Sequence, residues 1–232
     1  MSFQSNLRRL AVWAIVLLPL MAGTAFGVNP PRSMPSEGRL DFSITRNGKA
    51  IGTHIYRFEQ DGNRTTVDIR TDIDFRLLFI PVYRFRHQSR EVWDGDRLTA
   101  LDAKTDDNGE PVSLTVRTKG SKMAVRGKDG AQVIEGSAIP ASLWHASTLD
   151  GRRLLGTVSG GVMETQVEYL GEQTLEIQGK PVVTRHYRLS GGYDRELWYD
   201  RSNDVLVRVR FEADDGSQVE YVPLGKTLAA RY

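Results

Sequence analysis

The chain has 232 residues, with 31 Lys and Arg against 29 Asp and Glu, four His and no Cys. An apolar fraction of 40% beside a charged fraction of 26% excludes a disordered chain, which could not bury enough apolar surface to offset its conformational entropy. Without cysteine there is no disulfide framework, no Cys-ligated zinc or iron–sulfur site, no thiol nucleophile and no lipidated N-terminal cysteine.

Residues 1–27 read as a signal peptide. Arg8 and Arg9 supply its positive start, residues 10–21 are apolar without charge, and residues 22–27 (AGTAFG) offer small side chains to a peptidase. The apolar run is about a dozen residues, short of the roughly 20 that span a bilayer core as a helix. Cleavage is therefore expected, with an uncleaved N-terminal anchor as the alternative and the expected membrane contact if it is retained. Removing the leader takes away two arginines and no acid, leaving 29 basic and 29 acidic residues. A neutral mature chain lacks the electrostatic footprint of a nucleic-acid binder. The expected compartment is the periplasm.

Residues 28–38 hold three prolines and two serines without an apolar period, and read as a linker. From residue 39 to residue 232 the pattern is that of one β-rich domain. Asn47-Gly48, Asp61-Gly62, Asp94-Gly95, Asn108-Gly109, Asp129-Gly130 and Asp215-Gly216 are pairs suited to tight hairpin turns. Between them, apolar residues alternate with polar ones: Leu40, Phe42, Ile44; Val67, Ile69, Thr71, Ile73, Phe75; Val112, Leu114, Val116; Val205, Val207, Val209, Phe211, Ala213. A period of two gives strands with one buried and one wet face, and successive hairpins give an antiparallel meander. Residues 138–149, with Pro140 near the start and Leu143, Trp144 and Leu149 as an apolar face, predict one short helix ended by Asp150-Gly151. The expected fold is all-β: a strongly curved sheet or open barrel with the helix at its concave side, a two-sheet sandwich being the competing architecture.

The most informative strand covers residues 82–93. Tyr83, Phe85, His87, Ser89, Glu91 and Trp93 share one face, and the aromatics at its ends mark that face as inward. His87 and Glu91 are carried inward with them, about 13 Å apart along the strand. Each needs a partner on a neighbouring strand, because buried polar groups must be hydrogen-bonded. His54 shares a face with Tyr56 and Phe58; His145 follows Trp144; the facing of His186 is undecided, since both parities around it mix polar and apolar residues. His54, His87, Glu91 and His145 form a candidate polar cluster. No H-x-H or H-E-x-x-H spacing, G-x-S-x-G elbow, P-loop or G-x-G-x-x-G motif occurs, so no catalytic residue, metal ligand or cofactor is assigned.

The segments 40–54, 83–93, 139–145 (IPASLWH) and 196–200 (ELWYD) together resemble an uncharacterised family of exported proteobacterial β-proteins, a domain of unknown function. The last segment, with Val205-Leu-Val-Arg-Val behind it, is also distantly similar to periplasmic lipoprotein-carrier-type curved sheets. The resemblance implies a β-fold and carries no activity or catalytic residue.

These readings combine into an expectation. The exported domain binds an apolar or amphipathic ligand, such as a lipid, in a concave β-sheet. Tyr56, Phe58, Tyr83, Phe85, Trp93 and Trp144 would line the site, with His87 and Glu91 holding a polar head. The alternative is an envelope scaffold with a packed core that engages a protein partner, with a metal-assisted hydrolase behind it.

Overall fold

In the computed structural model, which describes residues 33–150 and 153–224, the period-two segments are strands and the X-Gly pairs are the turns between them. The glycines of all six pairs have positive φ, a conformation without steric penalty only where Cβ is missing. The signal peptide assigned to residues 1–27 lies outside the described residues.

Eight strands form the first meander: β1 (Arg39–Arg46), β2 (Lys49–Asp61), β3 (Arg64–Leu77), β4 (Ile80–Asp94), β5 (Arg97–Asp107), β6 (Glu110–Lys119), β7 (Lys122–Gly127) and β8 (Gly130–Glu135). Three short strands follow, β9 (Ile139–Pro140), β10 (Arg153–Leu155) and β11 (Val162–Glu164). A second meander runs through β12 (Gln166–Ile177), β13 (Lys180–Ser190), β14 (Arg195–Asp200), β15 (Leu206–Glu212) and β16 (Gln218–Pro223). The last strand returns to pair antiparallel with β1, joining the meanders into one 13-stranded sheet in the order β12-β13-β14-β15-β16-β1-β2-β3-β4-β5-β6-β7-β8. A sandwich of two large sheets is thereby excluded. The inward stripes supply Phe42, Val67, Ile69, Leu114, Val116 and Val209 to a single core.

The segment between β8 and β12 fills the concave side, as expected, but not as a helix. It contains β9, β10 and β11 as a small second sheet and a four-residue 3-10 turn, Ala146–Leu149. The reason lies in how its backbone is satisfied. Three successive carbonyls accept from tyrosine hydroxyls of the large sheet and its loops: Ala141 from Tyr193 at 3.3 Å, Ser142 from Tyr56 at 2.6 Å and Leu143 from Tyr199 at 2.7 Å. Those carbonyls are the acceptors a helix would have used. Leu143 is moreover left-handed at φ 68°, and Pro140 pairs with Leu155 as part of a parallel bridge.

Part of the segment read as a linker is also described. Residues 33–38 are seated on the domain: Ser33 is 1% exposed and its Oγ accepts from Ala146 N, while the Gly38 carbonyl accepts from Phe58 N.

Candidate ligand-binding site

The inner face of β2 to β5 carries a row that runs across the strands. His54 is the direct cross-strand neighbour of Thr71, Thr71 of His87, and His87 of Thr105. Each imidazole uses one nitrogen on a threonine: His54 Nδ1 lies 2.7 Å from Thr71 Oγ1, and His87 Nδ1 lies 2.8 Å from Thr105 Oγ1. Burial disfavours the charged ring and pushes His54 down to about 3, with the neighbouring His87 adding to the fall; burial alone pushes His87 down to about 4. Both are therefore neutral at physiological pH, serving as hydrogen-bonding groups rather than cations.

The row lies beside a half-open cavity of about 320 Å³ between the sheet and the filling segment. His54, Tyr56, Thr71, Phe85, His87 and Ser89 form the sheet side, and the segment contributes Ser142, Leu143 and Met163. Tyr193, Arg195 and Tyr221 complete the wall from the second meander. His54 Nε2 and Ser89 Oγ are buried there with no hydrogen-bond partner among the described residues. A buried polar atom left in that state costs about 1–3 kcal/mol.

Arg195 is the charged group of the wall. It has the same parity on β14 as the buried Leu197 and Tyr199, which turns it to the concave side. Its guanidinium lies 4.4 Å from the centroid of the Tyr193 ring and 3.8 Å from that of Phe211. No carboxylate lines the cavity, and none pairs with Arg195 among the described residues.

The other sequence-predicted residues lie elsewhere. Glu91 is fully buried deeper in the core, where Oε2 accepts from Trp93 Nε1 at 3.0 Å and from Trp144 Nε1 at 2.9 Å. Burial raises its pKa against the opposing pull of Trp144, Ser142 and Trp93, although Oε1 has no partner in good hydrogen-bond geometry among the described residues. Phe58, Trp93 and Trp144 are packed against one another around it, with edge-on rings at 5.2 Å and 5.5 Å. Tyr83 is half-buried on β4, stacked on Phe85 at 6.4 Å. His145 stacks flat on Trp93 at 4.5 Å, caps the 3-10 turn through Nδ1, and holds Nε2 3.4 Å from Asp96. His186 faces outward, stacked on Trp198 at 4.1 Å with Nε2 3.2 Å from Glu196.

The four-residue polar cluster is thus divided. His54 and His87 share the cavity; Glu91 and His145 belong to the tryptophan core. Among the described residues no three His, Asp or Glu side chains converge as metal ligands. The cavity offers neutral donors and acceptors, apolar walls and one guanidinium, which suits holding an anionic amphiphile. Arg195, Tyr193 and Tyr221 had no sequence motif to announce them; Arg195 shares parity with Leu197 and Tyr199, but the unbroken apolar run Leu197-Trp198-Tyr199 hides that signal in the sequence.

Residues 42–224 match a family described as Domain of unknown function (DUF6134). The chain belongs to that family. It is also similar to a crystal structure of a beta-barrel-like protein of Domain of Unknown Function DUF1849 from Brucella abortus. That likeness has 14% identity and a TM-score of 0.59, covering 80% of this chain and 94% of the other. At that identity it is a likeness of fold, in keeping with the strongly curved sheet described above. Among curated proteins none matches the sequence.

Proposed function

We propose that this DUF6134 protein is an exported periplasmic binding protein that holds a single-chain amphipathic anion, such as a fatty acid, on the concave side of its sheet. The observation that carries the reading is the make-up of one cavity. Apolar and aromatic walls surround two unpartnered buried polar atoms, His54 Nε2 and Ser89 Oγ, beside a guanidinium with no carboxylate partner among the described residues. A volume of about 320 Å³ is at the small end for ligand pockets, which favours one chain over a two-chain lipid.

In this reading Arg195 holds the anionic head while Phe85, Leu143 and Met163 contact the tail, and the neutral row from His54 to His87 supplies donors and acceptors between them. Titration with a dansylated fatty acid tests it, alongside mass spectrometry of an organic extract of the purified protein. Loss of a charge-assisted bond is about 2 kcal/mol, so Arg195→Ala weakens binding by about 30-fold and Arg195→Lys recovers part of it. Ser89→Phe fills the cavity and abolishes binding. A wild type that binds no probe and yields no extractable amphiphile overturns the proposal, as does undiminished binding by the filled variant.

A further inference from the structure

The β3–β4 hairpin ends differently from the Gly-turned hairpins. Its two-residue turn is Leu78-Phe79, at φ 50° and 73°, where the Asn-Gly pairs at 47–48 and 108–109 answer the same backbone demand elsewhere. Positive φ disfavours bulky side chains, so the local backbone preference argues against leucine and phenylalanine here. They are also exposed: Leu78 is 84% and Phe79 95% accessible, followed by Ile80 at 67% and Val82 at 48%. Residues 77–83 (LLFIPVY) contain no charge at all. The nearest charged side chains on the two strands are Arg76 and Arg84, already paired with Asp74 and Asp106. The shaft below the tip is therefore close to neutral.

We propose that this hairpin tip inserts into the interfacial zone of a lipid bilayer. Four exposed apolar residues at the end of a finger are far too few for a stable protein interface, which takes about 20–30 residues a side. An interfacial anchor needs only a shallow apolar element. Residues 78–82 reach back along the hairpin by about 10 Å, matching the roughly 5–10 Å depth at which such elements sit. Tyr83, half-buried at the base of the charge-free run, stands where an aromatic favours the boundary between headgroups and chains. The proposal goes beyond ligand binding in the cavity and does not require it. It also locates membrane contact in the folded domain, where sequence reading had placed it only in a retained leader.

The test places an indole at the tip of the full chain, Phe79→Trp, and a second at Val133→Trp on edge strand β8, which is 61% exposed. Both are mixed with vesicles of phosphatidylethanolamine and phosphatidylglycerol, with and without brominated acyl chains. The described native tryptophans, Trp93, Trp144 and Trp198, are buried and contribute the same background to each. The expected result is a blue shift and bromine quenching at position 79, neither at position 133, and little sensitivity to salt. Adding Leu78→Ser and Ile80→Ser lowers the quenching at limiting lipid by about tenfold or more, since each buried aliphatic side chain contributes at least that factor. These positions are solvent-exposed, and far-UV circular dichroism verifies an unchanged fold. If the indole at 79 is no more shifted or quenched than the one at 133, the proposal is overturned and the tip is left to a protein partner.

Discussion

Removing the Glu91 carboxyl tests whether the concave core is organised around it. Trp93 and Trp144 are each 0% exposed, and both indole N–H groups end on the same oxygen, Oε2, at 3.0 Å and 2.9 Å. Glu91→Ala leaves two buried donors without an acceptor, about 1–3 kcal/mol each, and adds a cavity where the side chain was. A loss of about 3–6 kcal/mol is expected, which for a domain of this size lowers Tm by roughly 10–20 °C. Glu91→Gln keeps a carbonyl oxygen for the indoles and is expected to stay within about 1 kcal/mol of wild type near pH 5. The pH dependence gives a second handle. Because burial raises the native pKa of Glu91 above its unfolded value, its favourable contribution is complete below the unfolded value and is lost as pH rises through the native one. Glu91→Gln abolishes that loss, so the variant gains on wild type from pH 5 to pH 8. Urea denaturation followed by far-UV circular dichroism measures both effects without relying on the perturbed indoles. A Glu91→Ala protein within about 1 kcal/mol of wild type would refute the role given to the two indole bonds.

On the acid side the histidines act. His54 and His87 have native values pushed down to about 3 and about 4 from 6.5, so the stability they contribute is complete above pH 6.5 and is lost as pH falls toward those values. Each contributes a slope of about 1.4 kcal/mol per pH unit below pH 6, and urea midpoints in a His54→Gln/His87→Gln double variant should show a flatter acid limb; an unchanged limb contradicts the assignment. Gly52→Ala is expected to be severely destabilising, because an added Cβ would lie 2.1 Å from the Asp72 carbonyl oxygen and 2.9 Å from Ile73 Cα, both backbone atoms of the adjacent strand. A thermal melt within a few degrees of wild type would show that β2 and β3 can separate there at little cost.

Sequence alone carried the fold a long way, for reasons visible in particular residues. Period-two stripes such as Val67, Ile69 and Thr71 are inward because a strand can bury only one face, and the Asn-Gly and Asp-Gly pairs turn because glycine tolerates positive φ. The helix expected over residues 138–149 failed where local pattern met distant chemistry. Tyr56, Tyr193 and Tyr199 lie 86, 52 and 56 residues away from the carbonyls they bind, and no window around Pro140 contains them. The β3–β4 turn was hidden for the opposite reason. Leu78-Phe79 has no turn chemistry, so the strands read over residues 67–75 and 82–93 stand in the sequence without a marked turn between them. Arg195 was obscured because Leu197, Trp198 and Tyr199 are all buried, which erases the alternation that would have shown its side.

The inward face of β4 shows why the candidate cluster had to divide. Tyr83 and Phe85 toward the tip are half-buried, His87 and Ser89 border the cavity, and Glu91 and Trp93 lie in the dry core. From Tyr83 to Trp93 the strand keeps its alternation; the change comes from what covers it. Trp144 and His145 close over Glu91 and Trp93, whereas near His87 the filling segment stands off and leaves the cavity. Residues of identical parity thus pass from a half-exposed end to ligand-sized space to tryptophan core along one strand. Parity fixes which side a residue faces, but only the covering segment fixes its dielectric, and with it the protonation state. Two neutral imidazoles beside a cavity and a carboxyl between two indoles are the outcomes of that one difference.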